Sequence, residues 1–140
     1  CTLCLVGNDE ENIKSRFGSI SPKVRFIPHK KKPEEIIQIS DTFCMPSYRE
    51  GFGVSVIEAS ALKIPIICSD TYGLKDTVRN GKTGLKFAVG NIFKLKETLE
   101  YSLKNKKKMN KMGEEGRKYV EKNFSQQILI KAWKEFYHQI

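Results

Sequence analysis

The chain has 140 residues and a formal net charge of +9, with 39% hydrophobic and 29% charged residues. That balance suits one domain with its own core and excludes a disordered chain. No apolar run approaches the roughly 18 residues of a membrane-spanning helix, no signal peptide is visible, and the basic surplus favours polyanions (nucleic acid, an anionic membrane face, phosphorylated substrates) without choosing among them.

The first residues, Cys-Thr-Leu-Cys, are already strand-like and lack a starting methionine, so the expectation is a piece cut from a longer protein. Cys1 and Cys4 have zinc-like spacing, but no second pair or histidine cluster follows. Together with Cys44 and Cys68, which fall inside predicted strands, they read as reduced core or near-core thiols of a cytosolic protein. Short, nearly continuous apolar runs predict strands at 2–6, 24–27, 42–45 and 66–69, and more weakly at 85–87. Such runs suit parallel strands covered on both faces.

Helical stretches lie between them at 10–17, 33–39, 53–62 and 74–79. Pro33 followed by Glu34 and Glu35 is a good helix opening, because proline fits the first turn and acids suit its positive end. Strand and helix alternate about every 20 residues, which predicts an α/β fold: a Rossmann-like parallel sheet with helices on both faces.

From Asn91 onward the pattern turns helical. Ile92, Leu95, Leu99 and Leu103 share one stripe. A second helix is predicted over 109–123 and a third from Ser125, as N-cap, to the end. Ile128, Ala132, Trp133, Phe136 and Tyr137 would line the apolar side of this tail, with Trp133 expected to pack on the domain's own sheet. No linker or repeat divides the chain, so residues 1–140 read as one domain. The lysine runs at 30–32 and 104–111 each read as solvated faces; contact with an anionic leaflet is the sharper alternative.

The chemistry concentrates in SYREGFGVSVIEASALKIP, residues 47–65. Ligands of parallel α/β sheets bind beyond the carboxyl ends of the strands, where this segment belongs. Gly51 and Gly53 permit a tight turn, and the amides of Phe52, Gly53 and Val54 would be unpaired at a helix N-terminus, ready for a diphosphate oxygen. Glu58, one turn beyond Val54, stands in an otherwise apolar helix, where burial without a partner would be costly. As an acceptor-only group it suits the vicinal hydroxyls of a ribose. Glu50, in the loop, suits the hydroxyls of another sugar, or else pairs with Arg49 or a nearby lysine at the surface. Acceptor, anion donors, acceptor is the polarity order of a nucleotide diphosphate sugar.

MPSYREGFGVSVIEASALKIPIICSD, followed by YGLKDTVRNGKTGLKF, closely resembles the C-terminal half of the retaining GT-B glycosyltransferases called group one or family four. The likeness rests on Pro-Ser, the Glu-Gly-Phe-Gly turn and two glutamates with seven residues between them. It implies that Glu50 holds donor-sugar hydroxyls and carries the catalysis. Gly51, Phe52 and Gly53 would offer amides to the sugar and distal phosphate, Val54 would line the phosphate end, and Glu58 would bind the ribose. Arg25 and Ile27 would border the base.

The resemblance further implies a donor-binding domain whose acceptor domain is missing at the N-terminus, and a final helix that crosses back to that domain; Trp133, Phe136 and Tyr137 would then pack there, and some of them would be exposed in this chain. A UDP-sugar is the expected donor, with no metal and no other cofactor. The implied setting is surface-polysaccharide or lipopolysaccharide assembly in the cytoplasm, with peripheral contact to the inner membrane face. Two departures stand out: Lys63 where the family has a helix-ending glycine, and Asp76 in place of a later glutamate. The Arg and Lys that grip the diphosphate in such enzymes lie upstream of this chain, so the isolated fragment is expected to be inactive. Rival readings are a nucleotide-sugar epimerase on the same scaffold and a basic nucleic-acid-binding module. The latter is disfavoured because the lysine runs contain almost no aromatics, and nucleic acid is not an expected partner.

Overall fold

The computed structural model describes residues 1–9, 12–17 and 21–139. These form two compact units, Cys1–Glu35 and Ile36–Ile140. In the first, β1 (Leu3–Val6) and β2 (Val24–Ile27) pair in parallel, Leu3 opposite Val24 through Val6 opposite Ile27. Helix α1 (Ile13–Phe17) lies between them in sequence. The Asp9 carboxylate caps it, accepting from the amides of Ile13 and Lys14 at 2.5 and 2.9 Å. Of the predicted helix at 10–17, residues 10 and 11 lie outside the described residues.

The expectation of strands buried on both faces fails for β1. Leu3, Leu5 and Val6 are exposed, as are Cys1 and Cys4, which are therefore not core thiols. Among the described residues, a two-stranded ribbon with one five-residue helix offers too little apolar surface to cover itself.

Helix α2 (Glu34–Ile37), shorter than predicted, leads into the second unit. There β3 (Phe43–Met45), β4 (Ile66–Ser69) and β5 (Gly84–Phe87) form a parallel sheet in that order. Helix α3 (Val54–Ala61) makes the crossover between β3 and β4. The middle strand is buried throughout, and the pleat alternates its side chains. Ile66 and Cys68 join Val56, Ala59, Leu74 and Val78 on one side. Ile67 joins Phe87, Met109 and Met112 on the other, with Leu95, Leu99 and Tyr101 packed around them. The sheet is thus covered on both faces, and fully burying each of its isoleucines contributes about 1.5–3 kcal/mol.

The predicted helix at 74–79 is instead a 3₁₀ turn, Tyr72–Leu74. Leu74 and Val78 are both buried, which mimics helical spacing, but the chain turns away at Arg79, whose amide donates to Thr83 Oγ1.

Helix α4 (Ile92–Lys104) starts on an Asn91 cap whose Oδ1 accepts from the Lys94 amide. Its buried line is offset from the predicted stripe: Leu95 and Leu99 pack inward beside Thr98 and Ser102, while Ile92 and Leu103 are exposed. The two hydroxyls can be buried because they bond back to Lys94 and Leu99 carbonyls.

Helix α5 (Lys106–Phe124) passes so close to the end of α3 that a Cβ at Gly113 would sit 2.0 Å from the Lys63 carbonyl oxygen. Helix α6 (Gln126–Tyr137) has no buried residue. Ser125 occupies its N-cap position, but the hydroxyl caps nothing. Trp133, expected against the sheet, is 58% exposed; it stacks on Tyr137 of its own helix at 5.7 Å between ring centres. Among the described residues no helix is long and apolar enough to cross a membrane.

Candidate functional site

The carboxyl ends of β3 and β4 are tied together by one hydroxyl. Ser69, the last residue of β4, donates to the Ser47 carbonyl just beyond β3 and lies 3.4 Å from that of Met45. Ser47 in turn donates its own hydroxyl to Glu50 Oε1 at 2.7 Å. Glu50 is half-buried and, among the described residues, forms no ion pair with Arg49 or any lysine. The surface salt bridge considered for it does not form. A hydroxyl-bonded carboxylate with one oxygen still open keeps acceptor capacity for a ligand.

The turn that follows is shaped by lack of space. A Cβ on Gly73 would lie 2.0 Å from the Glu50 carbonyl oxygen and 2.8 Å from that of Gly51, so the 3₁₀ turn backs directly onto the turn's main chain. Gly53 is buried with φ 64°, and a Cβ there would meet Leu74 Cδ2 at 2.3 Å. Only glycine meets both demands.

Gly53 is also the N-cap of α3. Its carbonyl accepts from Val56 and Ile57, and no side chain caps the helix. Among the described residues the amides of Phe52, Gly53 and Val54 have no partner within the chain. With the helix dipole behind them, they are donors available to an anion.

Val54 and Glu58 share the outer side of α3, Val54 58% exposed and Glu58 exposed. Val56, Ala59 and Ser60 are the buried side. This corrects the picture of Glu58 as an acid stranded in an apolar helix. It incurs no burial cost, because the helix is apolar on its inner side and Glu58 points to water. Its case rests on its place one turn from the uncapped N-terminus.

Of the predicted site residues, Glu50, Gly51, Phe52, Gly53, Val54 and Glu58 are brought together in the second unit. Arg25, exposed, and Ile27, half-buried, belong to β2 of the first. A surface hollow is lined by residues 88–93, beyond β5, and none of the predicted site residues lines it. Sequence reasoning missed Ser69 and Gly73, which hold the turn from beneath. A serine ending a buried strand and a glycine opening the next turn were the available signals.

The two thiols of β3 and β4 beneath the turn stay neutral near neutral pH, while Lys86 of β5 pairs with Asp70 at 3.3 Å. Burial raises the Cys44 thiol from 9.0 to about 11 and that of Cys68 to about 12. Among the described residues no cluster of three or more His, Cys, Asp or Glu could hold a metal ion.

A family profile described as "Glycosyl transferases group 1" matches residues 1–119. The capsular polysaccharide biosynthesis glycosyltransferase CapM of Staphylococcus aureus is 35% identical over 122 residues, covering 87% of this chain and 32% of that protein. A Campylobacter jejuni N,N'-diacetylbacillosaminyl-diphospho-undecaprenol alpha-1,3-N-acetylgalactosaminyltransferase is 33% identical over 105 residues, covering 74% and 28%. Among solved structures, Anabaena HepE in complex with UDP-glucose superposes with a TM-score of 0.89 at 17% identity, over 99% of this chain and 41% of that one. Sucrose-phosphate synthase from Thermosynechococcus elongatus gives 0.89 at 24%, over 99% and 38%. The chain thus spans about a third of the length of these curated relatives.

Proposed function

The chain belongs to the group 1 glycosyl transferases, on the C-terminal GT-B fold, and from that we propose that it forms the donor-binding half of a retaining enzyme using a nucleotide diphosphate sugar, with a UDP-sugar the first candidate. The observation that carries this reading is the uncapped N-terminus of α3 behind Gly53, with Glu50 before it and Glu58 one turn after it.

In this reading the amides of Phe52, Gly53 and Val54 receive the diphosphate, and its charge is stabilised by aligned dipoles as the sugar departs. Gly51 lets the sugar approach the main chain. Glu50, held by Ser47, accepts from donor-sugar hydroxyls and fixes the ring for attack. Glu58 accepts from the ribose hydroxyls. The acceptor wall comes from the part of the relatives' length that this chain does not span. HepE, whose fold is shared, is in complex with UDP-glucose. The Campylobacter relative's diphospho-undecaprenol acceptor and the capsule role of CapM support assembly of a surface glycan at the cytoplasmic membrane face.

The test uses the full-length enzyme with UDP and UDP-glucose. Glu58→Gln weakens UDP binding about 10- to 100-fold, the loss expected for a hydrogen bond to a charged group. Glu50→Gln lowers kcat while leaving UDP affinity within about threefold of wild type, because its contacts are with the sugar. Equal and negligible effects of both would refute the assignment.

A further inference from the structure

Phe52 sits between the two glycines of the donor turn, and its ring is half-exposed. It meets Phe124, the last residue of α5, edge to face with 5.7 Å between centroids and an interplanar angle of 74°. Phe124 meets Tyr119, one turn back along α5, in the same way at 5.8 Å and 78°. The Tyr119 hydroxyl donates to the Asp76 carbonyl at 2.8 Å, and the Arg79 guanidinium lies 4.5 Å above the Tyr119 ring. Asp76 and Arg79 follow the 3₁₀ turn whose Gly73 abuts the Glu50 carbonyl. The contacts therefore close a ring: donor turn, Phe52, Phe124, Tyr119, Asp76, Gly73, and the donor turn again.

We propose that Phe124 and Tyr119 are positioning residues for the donor turn, clamping the Phe52 ring while Gly73 packs against the Glu50 and Gly51 main chain. The proposal rests on the donor reading for its functional consequence, not for its geometry. Phe52 is half-exposed, and neither Phe124 nor Tyr119 belongs to either core cluster. Their rings thus do little to hold the sheet together. What they fix is the orientation of the peptide planes on either side of Phe52, and those planes carry two of the three unpaired amides, those of Phe52 and Gly53. Aromatic pairs prefer this edge-to-face arrangement, so the ring of Phe124 selects one orientation of Phe52 where an aliphatic side chain would accept several.

The experiment uses full-length enzyme and three variants. Phe124→Leu keeps apolar bulk but removes the edge-to-face pairs, Phe124→Tyr restores them, and Tyr119→Phe removes only the hydroxyl on Asp76. Amide hydrogen exchange without ligand is read at residues 51–55 and, as a control, in α4. UDP affinity and the kcat and KM for UDP-glucose are measured alongside.

In Phe124→Leu, exchange at 51–55 speeds up and UDP binding weakens, each by about three- to tenfold. The α4 amides and the thermal midpoint stay near wild type. Phe124→Tyr returns both readouts to wild type, and Tyr119→Phe gives a smaller change in the same direction. Unchanged exchange at 51–55 in Phe124→Leu, or acceleration spread equally over α4, overturns the clamp. Failure of the wild type to bind UDP would instead sink the donor reading, and the exchange result would still decide the clamp.

Discussion

Lys63 stands with φ 63°, in the left-handed region that suits glycine. It follows the C-cap Leu62 of α3. The Lys63 amide donates to the Ser60 carbonyl and that of Ile64 to Ala59, the paired bonds of a Schellman ending. The family's glycine at this place thus serves the helix stop, and lysine makes the same turn under strain. Replacing it, Lys63→Gly, is expected to raise stability by about 1 kcal/mol, read as a higher urea midpoint at unchanged m value. No gain would mean that the lysine stem recovers the strain by packing.

The buried thiols give a second prediction. Their folded pKa values lie above the unfolded one, so the neutral form is favoured in the fold. This contribution is complete below pH 9.0 and is lost as pH rises toward about 11 and 12, where the unfolded chain ionises first. Urea midpoints measured from pH 8 to 10.5 should fall, and fall less steeply in Cys68→Ala. Equal slopes would assign the alkaline loss to other groups. The same residues show the limit of pattern reading. Cys44 and Cys68 were legible as interior because apolar neighbours surround them in sequence. Cys1 and Cys4 have similar neighbours and are exposed, because burial depends on what covers a strand.

At the scale of elements, the strands were the most legible. Observed β2 and β4 match the predicted 24–27 and 66–69, and β1, β3 and β5 differ by one residue at their starts. Continuous apolar runs mark parallel strands strongly. Helices were legible as to existence and less so as to face. Thr98 and Ser102 shift the buried side of α4 because their hydroxyls are satisfied inside the helix, which a count of apolar residues does not register.

Helix α6 is the extreme case. Its apolar side reads as a core face, yet Ile128, Leu129, Ile130, Trp133, Phe136 and Tyr137 are all exposed. A helix that buries nothing adds little to the fold it follows. Truncation after Ser125 should therefore leave the urea midpoint of the remainder unchanged within error. A marked drop would show that α6 has a seat in solution.

For the molecule as a whole, the α/β class and its turn were readable because strand ends, glycines and acids fall in an order that parallel sheets require. The division into two units was not, since no linker composition marks the step between Glu35 and Ile36. Nor was the outward placement of Glu58, which depends on which side of α3 meets Ile66 and Cys68. The six predicted residues of the second unit lie on one turn and on the α3 helix that follows it, and the hollow beside β5 does not include them. Residues 1–140 alone are accordingly expected to release no UDP from UDP-glucose under conditions where the full-length enzyme does. Turnover by the isolated chain would contradict this.

The Ser69 hydroxyl, shared between the ends of two strands, has one more consequence. It fastens the segment carrying Glu50 to the most deeply buried strand, so the segment's disorder is given up when the chain folds and not when a ligand arrives. Less freezing of the protein then accompanies association at this spot, and more of the contact energy is left to hold the guest.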